Sequence, residues 1–195
     1  MKDLSPPDPR LTASCYMTNS NPTDIGLFAL IAEDFNAHGR EVLSQGFWAL
    51  FWHRFGNWRI GIRPRLLRLP ASMVYKLMFK VTEWVCGIHL PYTVRVGRRV
   101  VFEHFGGMII VPAAIGNDVR IRQNSTIGVV SVCAVDDRPI IGHGVDIGAG
   151  AVVIGGIVIG EGAVIGANAV VITDVPAGCV AVGVPARVID KNPGT

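Results

Sequence analysis

Ile141-Gly142-His143-Gly144-Val145-Asp146, Ile147-Gly148-Ala149-Gly150-Ala151-Val152 and Val153-Ile154-Gly155-Gly156-Ile157-Val158 follow one another as six-residue units, each headed by an aliphatic side chain. Ile159, Ile165 and Val171 continue the series, and Ile115, Ile121 and Ile127 head three units upstream of it. Gly often stands second, as at Gly116, Gly128, Gly142, Gly148, Gly160 and Gly166. Four places after the aliphatic comes a small or β-branched residue: Val119, Ser125, Val145, Ala151, Ala163 or Ala169. A period of six fits neither a helix nor a two-faced strand, so it marks a repeat architecture. A parallel β-helix accounts for it. Each hexad is one short strand and a corner, three hexads make a triangular coil, and the aliphatics form a column in the bore. Small residues and Gly suit the tight corners.

The series breaks twice. From Val96 to Ile115 there are 19 positions, one more than three hexads, and Phe102-Glu103-His104-Phe105-Gly106-Gly107 lies inside. A bulge around a His followed by two glycines is a place to expect chemistry. From Ile127 to Ile141 there are 14 positions against 12 for two hexads, and residues 129–138 lack the pattern. A loop is expected to leave the coil there, with Asp136, Asp137 and Arg138 near its end.

Upstream, residues 1–21 are rich in Pro, Ser, Thr and Asn and read as a flexible arm. A helical segment is expected over 22–87, and the β-helix over 88–190. The first helix is expected to start at Asn21-Pro22, with Leu27, Phe28, Ile31 and Phe35 on one face and Gly39 at its end. A second follows Ser44 and carries Phe47, Trp48, Phe51, Phe55 and Trp58, too aromatic for a free surface. His53 and Asn57 lie four apart on it, beside Arg54. A third is expected over about 71–86.

Half of the 195 residues are hydrophobic, and mean hydropathy is +0.41. The longest uncharged apolar run, 147–160, is too short to span a bilayer and is broken by Gly. With no cleavable leader in the polar first ten residues, a cytoplasmic location is expected. Cys15, Cys86, Cys133 and Cys179 are scattered, so reduced thiols are expected rather than disulfides or a metal site. Residues 1–101 hold 13 Lys+Arg against 7 Asp+Glu, and residues 102–195 hold 5 against 8. The excess includes Arg59, Arg63, Arg65 and Arg68. No nucleic-acid motif accompanies it, which leaves solvation, coenzyme phosphates or peripheral contact with anionic lipid headgroups.

The hexads resemble those of hexapeptide-repeat acyltransferases, whose β-helix is left-handed. Further residues resemble the serine acetyltransferases: Gly46-Phe47, Ala49-Leu50, Arg54, Gly56 and Trp58 in the helices, Gly97-Arg98-Arg99 followed by Glu103-His104, and Val175-Pro176-Ala177 with Gly183-Val184-Pro185-Ala186-Arg187-Val188-Ile189 at the close. The match covers about residues 30–190, and it looks most like the short serine-acetyltransferase-like proteins of exopolysaccharide clusters, including colanic acid acetyltransferases. The resemblance implies a mostly β protein, a left-handed parallel β-helix preceded by a small helical segment. It implies an acetyl-CoA-dependent O-acetyltransferase without metal, assembled as a homotrimer or a multiple of three, with sites in clefts between subunits. His104 then stands as general base, since an alcohol needs a neutral imidazole to take its proton as it attacks a thioester. Glu103 takes the place of an Asp that helps hold serine. The Asp that orients the catalytic His falls at His89, and a second His near the acceptor falls at Arg138, beside Asp137. Acetyl-CoA contacts map by motif to Ala149, Ala167, Thr173 and Arg187. Either His89 or Glu103 orients His104. Because of these departures the expected acceptor is a sugar hydroxyl of an exopolysaccharide or its precursor. The alternatives are serine O-acetylation for cysteine synthesis and an inactive β-helix scaffold.

Overall fold

A computed structural model describes residues 19–131 and 137–190. The arm expected over 1–21 lies mostly outside these residues, as do Cys15, Cys133, Asp136 and the tail after Asp190. The described chain opens with α1 (Leu27–Ala37), α2 (Gln45–Trp58), a single 3₁₀ turn (Arg59–Gly61) and α3 (Arg65–Cys86).

Three strands then make each coil. The first has β1 (Ile88–His89), β2 (Arg95–Val96) and β3 (Val101–Glu103), and the second β4 (Met108–Ile110), β5 (Ala114–Ile115) and β6 (Arg120–Arg122). The third has β7 (Thr126–Gly128), β8 (Ile140–Ile141) and β9 (Asp146–Ile147), and the fourth β10 (Val152–Ile154), β11 (Val158–Ile159) and β12 (Val164–Ile165). The last holds β13 (Val170–Val171) and β14 (Val180–Val182), on which β15 (Arg187–Ile189) folds back antiparallel. Three parallel faces result: β1-β4-β7-β10-β13, β2-β5-β8-β11 and β3-β6-β9-β12-β14. The parallel β-helix expected from the hexads is therefore the fold.

Every hexad head from Ile115 to Val171 is buried in the bore, and so are the small residues four places on. Each buried aliphatic contributes roughly 1.5–3 kcal/mol of transfer free energy. Ser125, the polar member of the small set, donates from Oγ to the Arg122 carbonyl at 2.7 Å. The Gly after the aliphatic is explained by stacking more than by turning. A Cβ at Gly116 would stand 2.7 Å from the Gly142 carbonyl carbon, and one at Gly97 2.5 Å from the Gly116 oxygen. Coils touch backbone to backbone at that edge.

Both breaks in the repeat have a definite form. Phe102 pairs with Ile121 and Ile110 with Ile127, so the first corner runs eight positions where its neighbour runs six. The bulge at His104–Gly107 thus holds two extra residues, and the side from Ile110 to Ile115 is one short. The second break differs from the expectation. β7 and β8 are consecutive sides of one coil, and Ala114 pairs with Ile140, 26 positions on, where Ile140 pairs with Val158 at 18. The loop is an eight-residue insertion at one corner, and no hexad is missing.

The helices stopper the open end of the solenoid. The first coil offers carbonyls and N–H groups with no coil above to receive them. Arg54, fully buried, donates from Nη1 to the Val96 carbonyl at 2.7 Å and from Nη2 to that of Gly97 at 2.6 Å. Its Nε meets Asp34 at 2.9 Å. His53 Nε2 donates to the Val94 carbonyl at 2.9 Å, and His38 Nε2 accepts from the Phe102 N–H at 3.3 Å. Burial pushes the His53 imidazole down to about 3, with the Arg54 charge adding to it, so the ring is neutral. Burial lowers His38 in the same way. Burial raises the Asp34 carboxyl although Arg54 pulls it down. Gly46 and Gly56 make the close fit: a Cβ would come within 2.3 Å of the Phe102 oxygen at the first and 2.4 Å of the Tyr75 ring at the second.

Three helical expectations are corrected. α1 begins at Leu27, not at Asn21-Pro22, and Asn21 instead donates from Nδ2 to the Arg54 carbonyl. Its buried stripe runs through Leu30, Asp34 and His38, while Phe28 points outward. α2 buries its polar side against the coil and leaves Trp48 and Trp58 exposed, because the solenoid end needs donors rather than apolar cover. α3 starts at Arg65, earlier than expected, and carries Pro70 inside it. Pro70 and Leu66 face outward, where water can take the carbonyl that Pro70 cannot bond.

Candidate active site

His104 occupies the bulged corner between β3 and β4. Its backbone is left-handed, with φ 62°, followed by Gly106 at 98° and Gly107 at 64°. A non-Gly residue there carries strain of about 1–3 kcal/mol, tolerated where the surroundings over-determine it. They do so here. Gly106 N–H donates to the Cys86 carbonyl at the end of α3, Gly106 O accepts from Asn124 in the next coil, and Met108 N–H donates to Gly87. A Cβ on Gly87 would sit 2.9 Å from the Gly106 Cα. The imidazole projects exposed from this fixed corner and has no hydrogen-bond or ion-pair partner among the described residues.

Glu103 ends β3. In register beside it on β6, Arg120 Nε and Arg122 Nε approach its carboxylate at 3.0 and 3.2 Å, and Arg122 also pairs with Asp146 of β9. Glu103 is therefore anchored in a ladder of charges across the face, next to His104 in sequence but bonded to the arginines. His89, in β1, donates from Nδ1 to the Glu83 carboxylate at 2.5 Å, and its ring meets Phe79 edge-on. Glu83 also holds Lys80 at 2.5 Å. Burial works to raise the Glu83 carboxyl, but Lys80 and His89 together bring it below its ordinary range. A shallow cavity of about 280 Å³ is lined by Glu83, Gly87, Ile88, His89, Gly107, Met108 and Ile109. It joins the His89 ring to the rim of the His104 corner. Glu83 was not expected as a site residue. Nothing local marks it, since its pairing depends on α3 ending against β1.

The same edge continues below His104 through the corners at Asn124, Ala149 and Ala167. Asn124 N–H donates to Gly106, Gly150 to Gln123 and Asn168 to Ala149. The N–H groups of Ala149 and Ala167 have no main-chain acceptor among the described residues. Their methyl side chains leave this backbone accessible to a ligand laid along the edge. That suits acetyl-CoA as the family pattern would hold it.

The other candidates lie elsewhere. Asp137 and Arg138 end the inserted loop at the corner between β7 and β8, with Asp137 Oδ1 3.4 Å from where a Gly156 Cβ would stand. Thr173, exposed, sits at the same vertex after β13. Arg187 is exposed on β15. One protomer thus gathers His104, Ala149 and Ala167 on one edge and Asp137, Arg138 and Thr173 on another. His143, at a coil corner, accepts from the Asn117 N–H at Nδ1 (2.9 Å) and ties two coils together.

A solenoid of hexads capped by helices, with a strained His above a column of bare corner amides, defines an acyltransferase scaffold of the hexapeptide-repeat kind. Sequence comparison makes the assignment narrower. The chain is 34% identical over 178 residues to a serine acetyltransferase of Synechococcus elongatus, covering 85% of this chain and 70% of that protein. It is 37% identical over 148 residues to the Escherichia coli K12 serine acetyltransferase, covering 75% of this chain and 52% of that one. Among solved structures, soybean serine acetyltransferase apoenzyme superposes with a TM-score of 0.69 at 31% identity, over 84% of this chain and 69% of that one. The Vibrio cholerae enzyme gives 0.72 at 29%, over 86% and 67%. No protein-family model matches. The chain belongs to the serine acetyltransferase family, acetyl-CoA-dependent O-acetyltransferases, and spans about half the length of the E. coli relative.

Proposed function

We propose that this protein transfers the acetyl group of acetyl-CoA to the hydroxyl of L-serine, with His104 as general base. The observation that carries the reading is the exposed imidazole held in left-handed backbone at the bulged corner of the first coil. The acceptor follows from relatives that bear the name serine acetyltransferase, which favour serine over the sugar hydroxyl expected from sequence. His104 takes the hydroxyl proton as the oxygen attacks the thioester carbonyl. The C–S bond breaks, and the proton passes to the departing thiolate. His89, held by Glu83, lines the cavity that reaches Gly107 of the same corner and is the candidate to orient His104 once the acceptor is bound. Glu103, fixed between two arginines, offers a carboxylate for the acceptor ammonium. Acetyl-CoA lies along the Ala149 and Ala167 corners, with Thr173 and Arg187 contributing from a neighbouring copy. Because Asp137 and Arg138 lie on a different edge from His104, a site using all of them needs two protomers, which supports a trimer or a multiple of three.

The sugar reading keeps one support: His89 and Arg138 stand where the family has Asp and His. CoA thiol release with L-serine and with a panel of sugars and oligosaccharides separates the two. Saturable turnover of L-serine, with no sugar turned over more efficiently, is expected. Turnover of a sugar at a higher kcat/KM than L-serine would overturn the acceptor assignment.

A further inference from the structure

We infer that the outer face of α3 is a docking surface for an anionic lipid membrane, independently of the reaction assigned above. α3 is 22 residues long, about 33 Å of helix, and buries Tyr75, Thr82 and Cys86 against the rest of the protein. Its opposite side is apolar and open: Leu66 is 82% exposed, Met73 72%, Leu77 63% and Trp84 81%. At about 100° per residue these four fall within one narrow arc. Arg65, Lys76 and Lys80 flank that arc along one side, with Arg63 and Arg68 near the helix start.

The charges decide what covers this face. From Arg63 to Thr82 there are five cations and no acidic residue. Arg63, Arg65, Arg68 and Lys76 have no carboxylate partner among the described residues, and the first acid, Glu83, is already engaged by Lys80 and His89. A second copy docked on the same face about a two-fold axis would set these cations against one another with no acid to answer them. A bilayer carrying anionic headgroups answers both features. It takes the Leu and Met side chains to the acyl boundary, holds an indole such as Trp84 at the interfacial level, and pairs the flanking cations with phosphates. The protein would lie on the membrane rather than cross it: no helix among the described residues is long and apolar enough to span.

Flotation of the full chain with vesicles of equal parts phosphatidylcholine and phosphatidylglycerol, and with phosphatidylcholine alone, tests this. Binding is expected on the anionic vesicles, weakening with salt, with little on the neutral ones. Leu66→Glu with Leu77→Glu, both at exposed positions, should lower binding at least tenfold, and Arg65→Gln with Lys76→Gln and Lys80→Gln should lower it and flatten its salt dependence. Sedimentation velocity without vesicles should give the parent mass for both variants. No binding of the parent to anionic vesicles, or equal binding by all three proteins, would overturn the inference. A smaller assembly for the Glu variant would also overturn it, because the face would then be covered by another copy.

Discussion

Arg54→Ala should be among the most damaging substitutions in this protein, although Arg54 lies outside the proposed chemistry. Its guanidinium meets Asp34 of α1 at 2.9 Å and serves the carbonyls of Val96 and Gly97 in the first coil. Removing it leaves a buried carboxyl whose Oδ1 already has no partner among the described residues, together with two unanswered carbonyls. Breaking a buried pair from one side costs about 3–5 kcal/mol, and each orphaned acceptor adds to that side of the range. Burial raises the Asp34 carboxyl, so it can protonate and keep the total near this range rather than above it. At about 2–4 °C per kcal/mol for a domain of this size, Tm should fall by about 6–20 °C. Adding Asp34→Leu should recover part of the loss, since no charge is then stranded. The assay is urea and thermal unfolding at neutral pH, followed by circular dichroism. A single variant melting within about 2 °C of the parent, or a double variant no better than the single, would refute the view that Arg54 stoppers the solenoid.

Two further outcomes follow from the same contacts. His53 must be neutral when folded and titrates near 6.5 when unfolded, so its contribution is intact above 6.5 and is lost as pH falls toward about 3. Between pH 6.5 and 5 that is about 2 kcal/mol, to which buried His38 adds in the same direction; urea titrations across this window should show a shallower acid slope in His53→Gln. Glu83→Gln should lower kcat roughly tenfold with little change in KM for acetyl-CoA, because an amide holds His89 less firmly than a carboxylate, and unchanged steady-state kinetics would remove Glu83 from the site.

The bore was legible because a buried aliphatic every sixth residue fits a triangular coil and neither a helix nor a flat sheet, and the one-residue excess before Ile115 pointed to the corner that holds His104. The same counting misjudged the second break. A gap of 14 from Ile127 to Ile141 reads equally as two stretched hexads or as one hexad with an eight-residue insertion, and only strand register separates them. The cap was legible as helices but not as a polar plug. Periodicity groups His53, Arg54 and Asn57 on α2 without saying what they meet, whereas an open solenoid end draws donors inward to its free carbonyls. Glu83 with His89, and Glu103 with Arg120 and Arg122, are contacts between elements whose meeting the spacing along the chain does not reveal. The division of site residues between two edges of the coil likewise emerges only once the strands are stacked.

Whether His104 is the base for acetyl transfer is decided by the turnover of His104→Ala, measured as CoA thiol release with L-serine beside acetyl-CoA dissociation constants for both proteins. The corner is exposed and held by backbone, and the edge proposed for the coenzyme presents main-chain amides, so affinity for acetyl-CoA and the melting temperature should not fall. The prediction is a kcat lower by roughly 10²–10⁴ with that affinity retained; near-parental turnover in the variant would mean that another group takes the proton.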